Sequence, residues 1–367
     1  MSKKVRHLLG ISGGKDSTAL AIYMRNNYPE LDIEYYFCDT GKELDESYSL
    51  IDELEVFLGK KIKLLRAADK SNEESFDHFL KIYGGYLPSS QARWCTKKLK
   101  LEPFVKFAGN DLVISYVAIR GDEDREGYVS TKSNIQTIFP FRKNIWSIEI
   151  LNAIFGNGNI SKVAEFYTAF ASKAITKRAL EIIFIPTSSN FFFSRKVNAL
   201  LDLSIKTFNK VVFEFFKNSD YPIANISDFP LIENEEIIVM EDVKKLFKEN
   251  GVTFPRYYNE IEYEVDGQKG KYARSRSGCY FCFFQQKIEW IWLFEQHLNL
   301  FEKAMGYEKD GFTWNENESL KDIIKPERII QIKKDHLRKS KRISTKSNKL
   351  VDILNDDTGL NCVNCFI

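Results

Sequence analysis

At 367 residues the chain is longer than one core usually supports, and it reads as a large α/β domain with an insertion or a second lobe. Its 44% hydrophobic and 28% charged residues are ordinary globular composition and argue against long disordered stretches, and 53 basic against 51 acidic residues give no global case for nucleic-acid binding. The charged start, Met1–Arg6, offers no apolar signal region and no apolar span is long enough for a bilayer, so a cytoplasmic chain without membrane contact is expected.

Val5 to Ile11 is an apolar run suited to a buried parallel strand, and Ser17 to Arg25 follows with Ala19, Leu20 and Tyr23 at helical spacing. A second strand, Ile33 to Cys38, ends in Asp39-Thr40-Gly41, after which Leu44, Tyr48, Ile51, Leu54 and Leu58 mark an amphipathic helix. Ile62 to Leu65 and Leu112 to Ile119 supply further strands. Strands alternating with helices predict a doubly wound parallel sheet with its ligand at the carboxyl ends of the strands. From about Asn144 to Asp228 long Phe-rich helical patterns take over, Val163 to Ile183 and Val197 to Phe216 among them. This helical insertion is either a self-packing elaboration or a lid or docking surface. The resulting division is 1–143 core, 144–230 insertion, 231–300 return to the core, and 301–367 a basic segment rich in cysteine at its end. In that segment Lys333, Lys334, Arg338, Lys339, Lys341, Arg342, Lys346 and Lys349 crowd together with Asp335 opposing them. Such a stripe either binds a phosphate backbone, with Lys339, Lys341 and Arg342 as the contacts, or is a solvated helix face. His297 and His336 have no metal partners at ligand spacing and read as surface residues.

Ser12-Gly13-Gly14-Lys15-Asp16-Ser17-Thr18 lies where the first strand gives way to its helix. Two glycines let the backbone approach a ligand closely, and successive N–H groups at a helix start attract an anion. Ser12, Ser17 and Thr18 add hydroxyls, and Lys15 adds charge. The spacing is neither a Walker A loop nor Gly-x-Gly-x-x-Gly, and the bland alternative is a structural bend. Six cysteines are too few for a disulfide framework in a chain this long, and four fall in two Cys-x-x-Cys pairs, which points to metal or redox work. Cys279, Cys282, Cys362 and Cys365 suffice for a tetrahedral zinc site. Cys38, inside an apolar strand, reads as core.

Ser-Gly-Gly-Lys-Asp-Ser resembles the signature of PP-loop ATP pyrophosphatases, a group that includes phosphoadenosine phosphosulfate (PAPS) reductases, the ATP sulfurylase small subunit and several RNA and DNA sulfurtransferases. Cys38-Asp39-Thr40-Gly41 with Glu43 and Tyr48 resembles the second-strand motif of the PAPS reductase branch. Arg93-Trp94-Cys95-Thr96-Lys97-Lys98-Leu99-Lys100 is similar to its Cys and Lys segment, and Ile119-Arg120-Gly121-Asp122-Glu123-Asp124-Arg125 to its Arg-rich loop. Glu241-Asp242-Val243 to Leu246, Asn250-Gly251-Val252 and Tyr257 resemble its final helix, leading into Arg276-Ser277-Gly278-Cys279-Tyr280-Phe281-Cys282. The likeness covers about residues 5–143 and 235–300.

The resemblance implies an adenine nucleotide alpha hydrolase-like fold that takes ATP with Mg2+ and holds the nucleotide through Ser12, Gly13, Gly14, Lys15, Asp16, Ser17, Thr18, Asp39, Thr40, Gly41 and Arg120. Lys15, Asp16 and Arg120 are its candidate catalytic residues. Asp39 holds magnesium or a ribose hydroxyl, or caps a helix; Arg120 clamps phosphate, or pairs with Asp122 or Glu123. Lys97 and Lys98 contact phosphate or sulfate, or are solvated. It also implies a 4Fe-4S cluster on Cys95, Cys279 and Cys282, with Cys362 or Cys365 as fourth ligand or one iron open, against the alternatives of structural Zn2+ and free thiols. A Glu-Cys-Gly motif, which the reductases carry near the C-terminus, is missing here, and the arrangement is closer to the DndC-type sulfurtransferases of DNA phosphorothioation. The expected activity is adenylation of a substrate with release of pyrophosphate, then sulfur transfer, with a nucleic acid as candidate acceptor and a cysteine desulfurase or similar sulfur-transfer protein as candidate partner. A PAPS or adenylyl-sulfate reductase and a nucleotide-sensing nucleic-acid-binding module are the alternatives. All of them require the amides of the first strand-to-helix junction to be open to a polyphosphate.

Overall fold

Five short strands pair into one parallel sheet: β1 (Val5–Gly10), β2 (Ile33–Asp39), β3 (Ile62–Arg66), β4 (Leu112–Tyr116) and β5 (Ile135–Ile138), in the order β3-β2-β1-β4-β5. The computed structural model describes residues 4–123, 125, 130–189, 191–309 and 311–346, the side chains of 342–346 excepted. Cys362, Cys365 and Lys349 lie outside the described residues, as do Asp124 and the side chains of Arg342 and Lys346.

The central strands are covered on both faces, which is why β2 and β4 read as apolar runs, whereas edge strand β3 exposes Lys63, Leu64 and Arg66. Leu9, Tyr35, Phe37, Ile114 and Tyr116 face one layer and Leu8, Tyr36, Cys38, Leu65 and Val113 the other, as the two-residue period of a strand demands. Chain order reverses between β1 and β4, so the crevice at their carboxyl ends is the natural ligand position. The predicted strand to Ile119 stops at Tyr116. Beyond it the Ile119 N–H bonds back to the Val117 carbonyl (3.0 Å), leaving Arg120 past the strand end, where it meets Asp16.

Helix α1 (Lys15–Asn27) is buried along its first ten residues, and α2 (Asp45–Leu58) buries Leu50, Ile51, Leu54 and Leu58 on one stripe. Then come α3 (Ser75–Ile82), α4 (Trp94–Thr96) and α5 (Glu102–Ala108), the last two joined by a π-helical turn, Lys97–Leu101. The Phe-rich region forms α6 (Ile148–Phe155), α7 (Ile160–Phe170), α8 (Lys173–Ile183), α9 (Phe193–Leu203) and α10 (Ile205–Phe216). Each of the two long helices predicted there is in fact two. Ser172 and Ser204 break them, taking extended backbone and accepting the amides of Ile175 and Thr207 as N-caps. Trp146, Ile150, Phe208 and Phe213 belong to the same buried cluster as Leu9 and Leu20, so this region extends the core on one face of the sheet.

Helix α11 (Met240–Glu249) packs on α1. A hairpin, β6 (Ile261–Val265) and β7 (Gln268–Tyr272), turns through Asp266 and Gly267 at φ 51° and 69°. Helices α12 (Lys287–Gln296), α13 (Leu298–Gly306), α14 (Leu320–Ile323) and α15 (Pro326–Lys346) complete the described fold. They share a second, aromatic core in which Phe281 stands 4.5 Å from Phe76 and 4.8 Å from Trp314, ring to ring. His297 and His336 are half-buried, contrary to expectation. Burial lowers the pKa of each; Nδ1 of His336 lies 2.8 Å from the Tyr263 hydroxyl, and His297 packs 5.0 Å from the Trp292 ring. No helix among the described residues is long and apolar enough to cross a membrane.

Candidate functional site

The turn after β1 is built around the start of α1. Gly14 is the N-cap residue, and having no side chain it leaves the helix without a side-chain cap. The hydroxyls that would serve bond to one another instead: Ser12 Oγ lies 3.0 Å from Ser17 Oγ and 3.3 Å from Ser277 Oγ. Lys15 points its ammonium over the Tyr258 ring at 4.0 Å and toward the Ser275 carbonyl at 3.5 Å. Burial holds its pKa below the usual lysine range, although Asp16 at 3.6 Å works the other way. Such a desolvated cation beside an uncapped helix start gains from an anionic neighbour.

The junction is not open, which corrects the expectation of an exposed bed of amides. Gly13 to Thr18 are all buried, and the segment following α11 lies across them. Tyr257 donates its hydroxyl to the Gly13 carbonyl (2.8 Å). Ser277 packs so closely that a Cβ on Gly14 would fall 2.3 Å from its Oγ. Sequence reasoning missed Tyr258, Ser275 and Ser277 as neighbours of this turn, since they lie about 240 to 265 positions away and carry no local pattern.

From β4, Arg120 donates to Asp16 Oδ1 (2.6 Å) and to Asp122 (2.8 Å), with Glu123 at 3.6 Å. The ion-pair alternative is therefore realised, with Asp16 as an additional, buried partner. Asp39 does not cap α2, whose N-cap is Leu44. Its Oδ1 accepts from the Gly41 amide and the Tyr48 hydroxyl (each 2.9 Å), and Oδ2 accepts from Arg66 Nε (3.0 Å), an arrangement that fixes the Asp39–Gly41 turn.

Beside this turn Cys95, Cys279 and Cys282 line one cavity of about 40 Å³ together with Thr40, Lys100 and Ser277. Thr40 Oγ1 lies 3.2 Å from Cys279 Sγ, and Tyr280 N–H bonds to the Lys42 carbonyl (2.9 Å), so the Cys-x-x-Cys loop is docked on the end of β2. Burial pushes the Cys95 thiol up to about 12, with Cys282 adding to it. Among the described residues no group of three or more Cys, His, Asp or Glu is placed to hold a metal ion, so the thiols share a cavity without forming a ligand cage. Lys97 is exposed and Lys98 pairs with Glu102 at 2.8 Å, so neither faces this cavity. Lys100 does. The π-helical turn widens the helix so that position i+5 returns to the face of Cys95, which a 3.6-residue reading does not reveal.

The basic stripe is partly neutralised by more than Asp335. Lys333 pairs with Glu295 and Lys334 with Asp266 (each 2.6 Å), Arg338 pairs with Asp335, and Lys341 bonds to Gln268 at 2.8 Å.

Residues 6–141 match the model of the phosphoadenosine phosphosulfate reductase domain. This stretch belongs to that PP-loop family. An uncharacterized protein of Methanocaldococcus jannaschii is 32% identical over 153 residues, which is 38% of this chain and 30% of that protein. The tRNA-specific 2-thiouridylase MnmA of Sulfurimonas denitrificans is 27% identical over 222 residues, 56% of this chain and 63% of the relative. The MnmA of Psychromonas ingrahamii is 27% identical over 128 residues, 32% of this chain and 34% of its own length. The chain thus spans less than two thirds of the length of each of these relatives.

Proposed function

We propose that the chain is an ATP-using sulfurtransferase that binds the nucleotide polyphosphate on Ser12–Thr18 and adenylates its substrate. The observation that carries this reading is the buried, uncapped start of α1, where the Ser12, Ser17 and Ser277 hydroxyls and the Lys15 ammonium converge around the amides, with Asp16 3.6 Å from the ammonium. A substrate oxygen attacks the α-phosphorus; the bond from that phosphorus to the bridging oxygen breaks, and pyrophosphate leaves with the electron pair. Lys15 and Arg120 neutralise the charge that develops, and the amides of the turn hold the leaving group. Because the junction is closed here, binding requires Ser277 and the Tyr258 ring to move aside, their contacts being replaced by charge-assisted bonds. Magnesium bound with the nucleotide would add charge neutralisation at the phosphates. With labelled ATP, pyrophosphate release is expected to disappear in Asp16→Ala and in Ser17→Ala; undiminished release in both variants refutes the assignment.

Sulfur handling belongs to the cavity beside Thr40, where Cys95, Cys279 and Cys282 would hold an iron-sulfur cluster, with Cys362 or Cys365 as further ligand, or a zinc ion. A cluster there would supply a site for sulfide. The shared cavity supports this reading. Visible absorption and metal analysis of anaerobically purified protein separate the two: broad absorption with stoichiometric iron is expected, and a colourless protein with one zinc excludes the cluster. The MnmA relatives act on tRNA by name, which supports a nucleic-acid acceptor, with DNA phosphorothioation as the narrower form. A PAPS or adenylyl-sulfate reductase is the second reading, favoured by the name of the matching domain; sulfite formed from PAPS with a thiol reductant distinguishes it.

A further inference from the structure

A groove of about 730 Å³ opens between the Phe283–Ile288 segment and α15, within the ~300–1,000 Å³ usual for ligand sites. Its cations are Arg276, Lys287, Arg328, Arg338 and Lys339, against the single carboxylate Asp335 on its wall. Glu318, just outside, takes Lys287 and Arg328, and Asp335 takes Arg338. Arg276 and Lys339 are left with no carboxylate partner among the described residues, and Arg276 Nε is buried without a hydrogen-bond partner. His336 adds no positive charge at neutral pH, since burial lowers its pKa.

The floor is aromatic. Phe283 and Phe284 lie 4.2 Å apart, and Arg93 and Arg276 stand over the Phe284 ring at 4.9 and 5.6 Å. Phe283 also lines the thiol cavity, so one ring separates the groove from Cys282. Unpaired cations beside π-faces match a polymer that alternates phosphates with flat bases.

We propose that this groove receives a single-stranded segment of nucleic acid, its phosphates on Arg276 and Lys339 and a base against Phe284, and so presents the sulfur acceptor to the thiol cavity. Calling the strand an acceptor rests on the sulfurtransferase reading; its binding does not. Most of these residues lie beyond the stretch matched by the family model, and of the groove's cations Arg338 and Lys339 belong to the basic stripe.

The test uses the full chain and fluorescently labelled single-stranded RNA and DNA oligonucleotides, read by anisotropy over a range of salt. Lys339→Glu, at an exposed position, and Arg276→Gln are each expected to weaken binding about tenfold and to lower the slope of log affinity against log salt by about 0.7. Phe284→Ala is expected to weaken it roughly 5- to 150-fold. Lys63→Glu, on β3 and outside the groove, is expected to change little. Affinity and salt slope unchanged in all three groove variants overturn the inference, as does equal displacement of the oligonucleotide by polyglutamate. Pyrophosphate release is read in parallel. If the variants keep it while oligonucleotide binding ignores the groove, the inference fails alone. If binding follows the groove but the unaltered chain releases no pyrophosphate, the enzymatic reading fails alone.

Discussion

Gly14→Ala is expected to cut ATP-dependent pyrophosphate release by about 100-fold or more, the scale of loss that follows a misplacement of about 1 Å at a reacting group. A Cβ at that position would stand 2.3 Å from Ser277 Oγ, 2.7 Å from Ser277 Cβ and 3.0 Å from the Tyr258 hydroxyl. It would project into the space the phosphates need, whether or not Ser277 moved. Adding Ser277→Gly removes the first two contacts and is expected to restore stability without restoring release. The comparison separates a crowded fold from a blocked ligand. Wild-type release by Gly14→Ala would mean that the turn does not carry the phosphates, and unfolding of the double variant would mean that Ser277 is not what crowds it. Gly13→Ala works through a different cause: at φ +67° an alanine is strained by about 1–2 kcal/mol, and its Cβ would meet that of Ser47 at 2.9 Å.

Arg120→Ala is expected to destabilise the nucleotide-free protein by about 3–5 kcal/mol, since it strands the buried Asp16 carboxylate. Asp16 and Arg120 side chains are 7% and 10% exposed, so water replaces little of what is lost, though Lys15 at 3.6 Å keeps the cost toward the lower figure. Urea unfolding followed by circular dichroism measures it. Combined with Asp16→Asn, the same substitution is expected to cost less than the sum of the single changes, because the two groups form one network. Strict additivity would show that the pair does not interact as its 2.6 Å separation implies.

Four of the five sheet strands were legible because covered parallel strands are written as apolar runs, and α2 because its buried stripe has a regular period; β5, Ile-Gln-Thr-Ile, carries two polar residues in four and was not read. The hairpin also had a signal, Ile261, Tyr263 and Val265 alternating ahead of Asp266-Gly267, which the chain-order reading did not use. Ser172 and Ser204 were passed over because apolar spacing runs through them, whereas the backbone followed the stronger local preference of serine for a cap. At the site, the turn itself was written in seven consecutive residues. Its cover was not, because Tyr258 and Ser277 are brought there by the tertiary fold alone. Lys100 in place of Lys97 and Lys98 required a helical turn of unusual pitch, and residue type does not announce one.

The distance along the chain from Ser277 to Cys279 is two residues, a reach of roughly 7 Å at full extension. One end sits on the phosphate turn and the other against Thr40. Whatever lifts the serine pulls on the cysteine through so short a tether, so on the sulfurtransferase reading activation and sulfur delivery would share a clock. Thermodynamic reciprocity then requires that, if nucleotide binding shifts the affinity of the thiol cavity for a ligand, that ligand shifts the grip on the nucleotide by the same free energy.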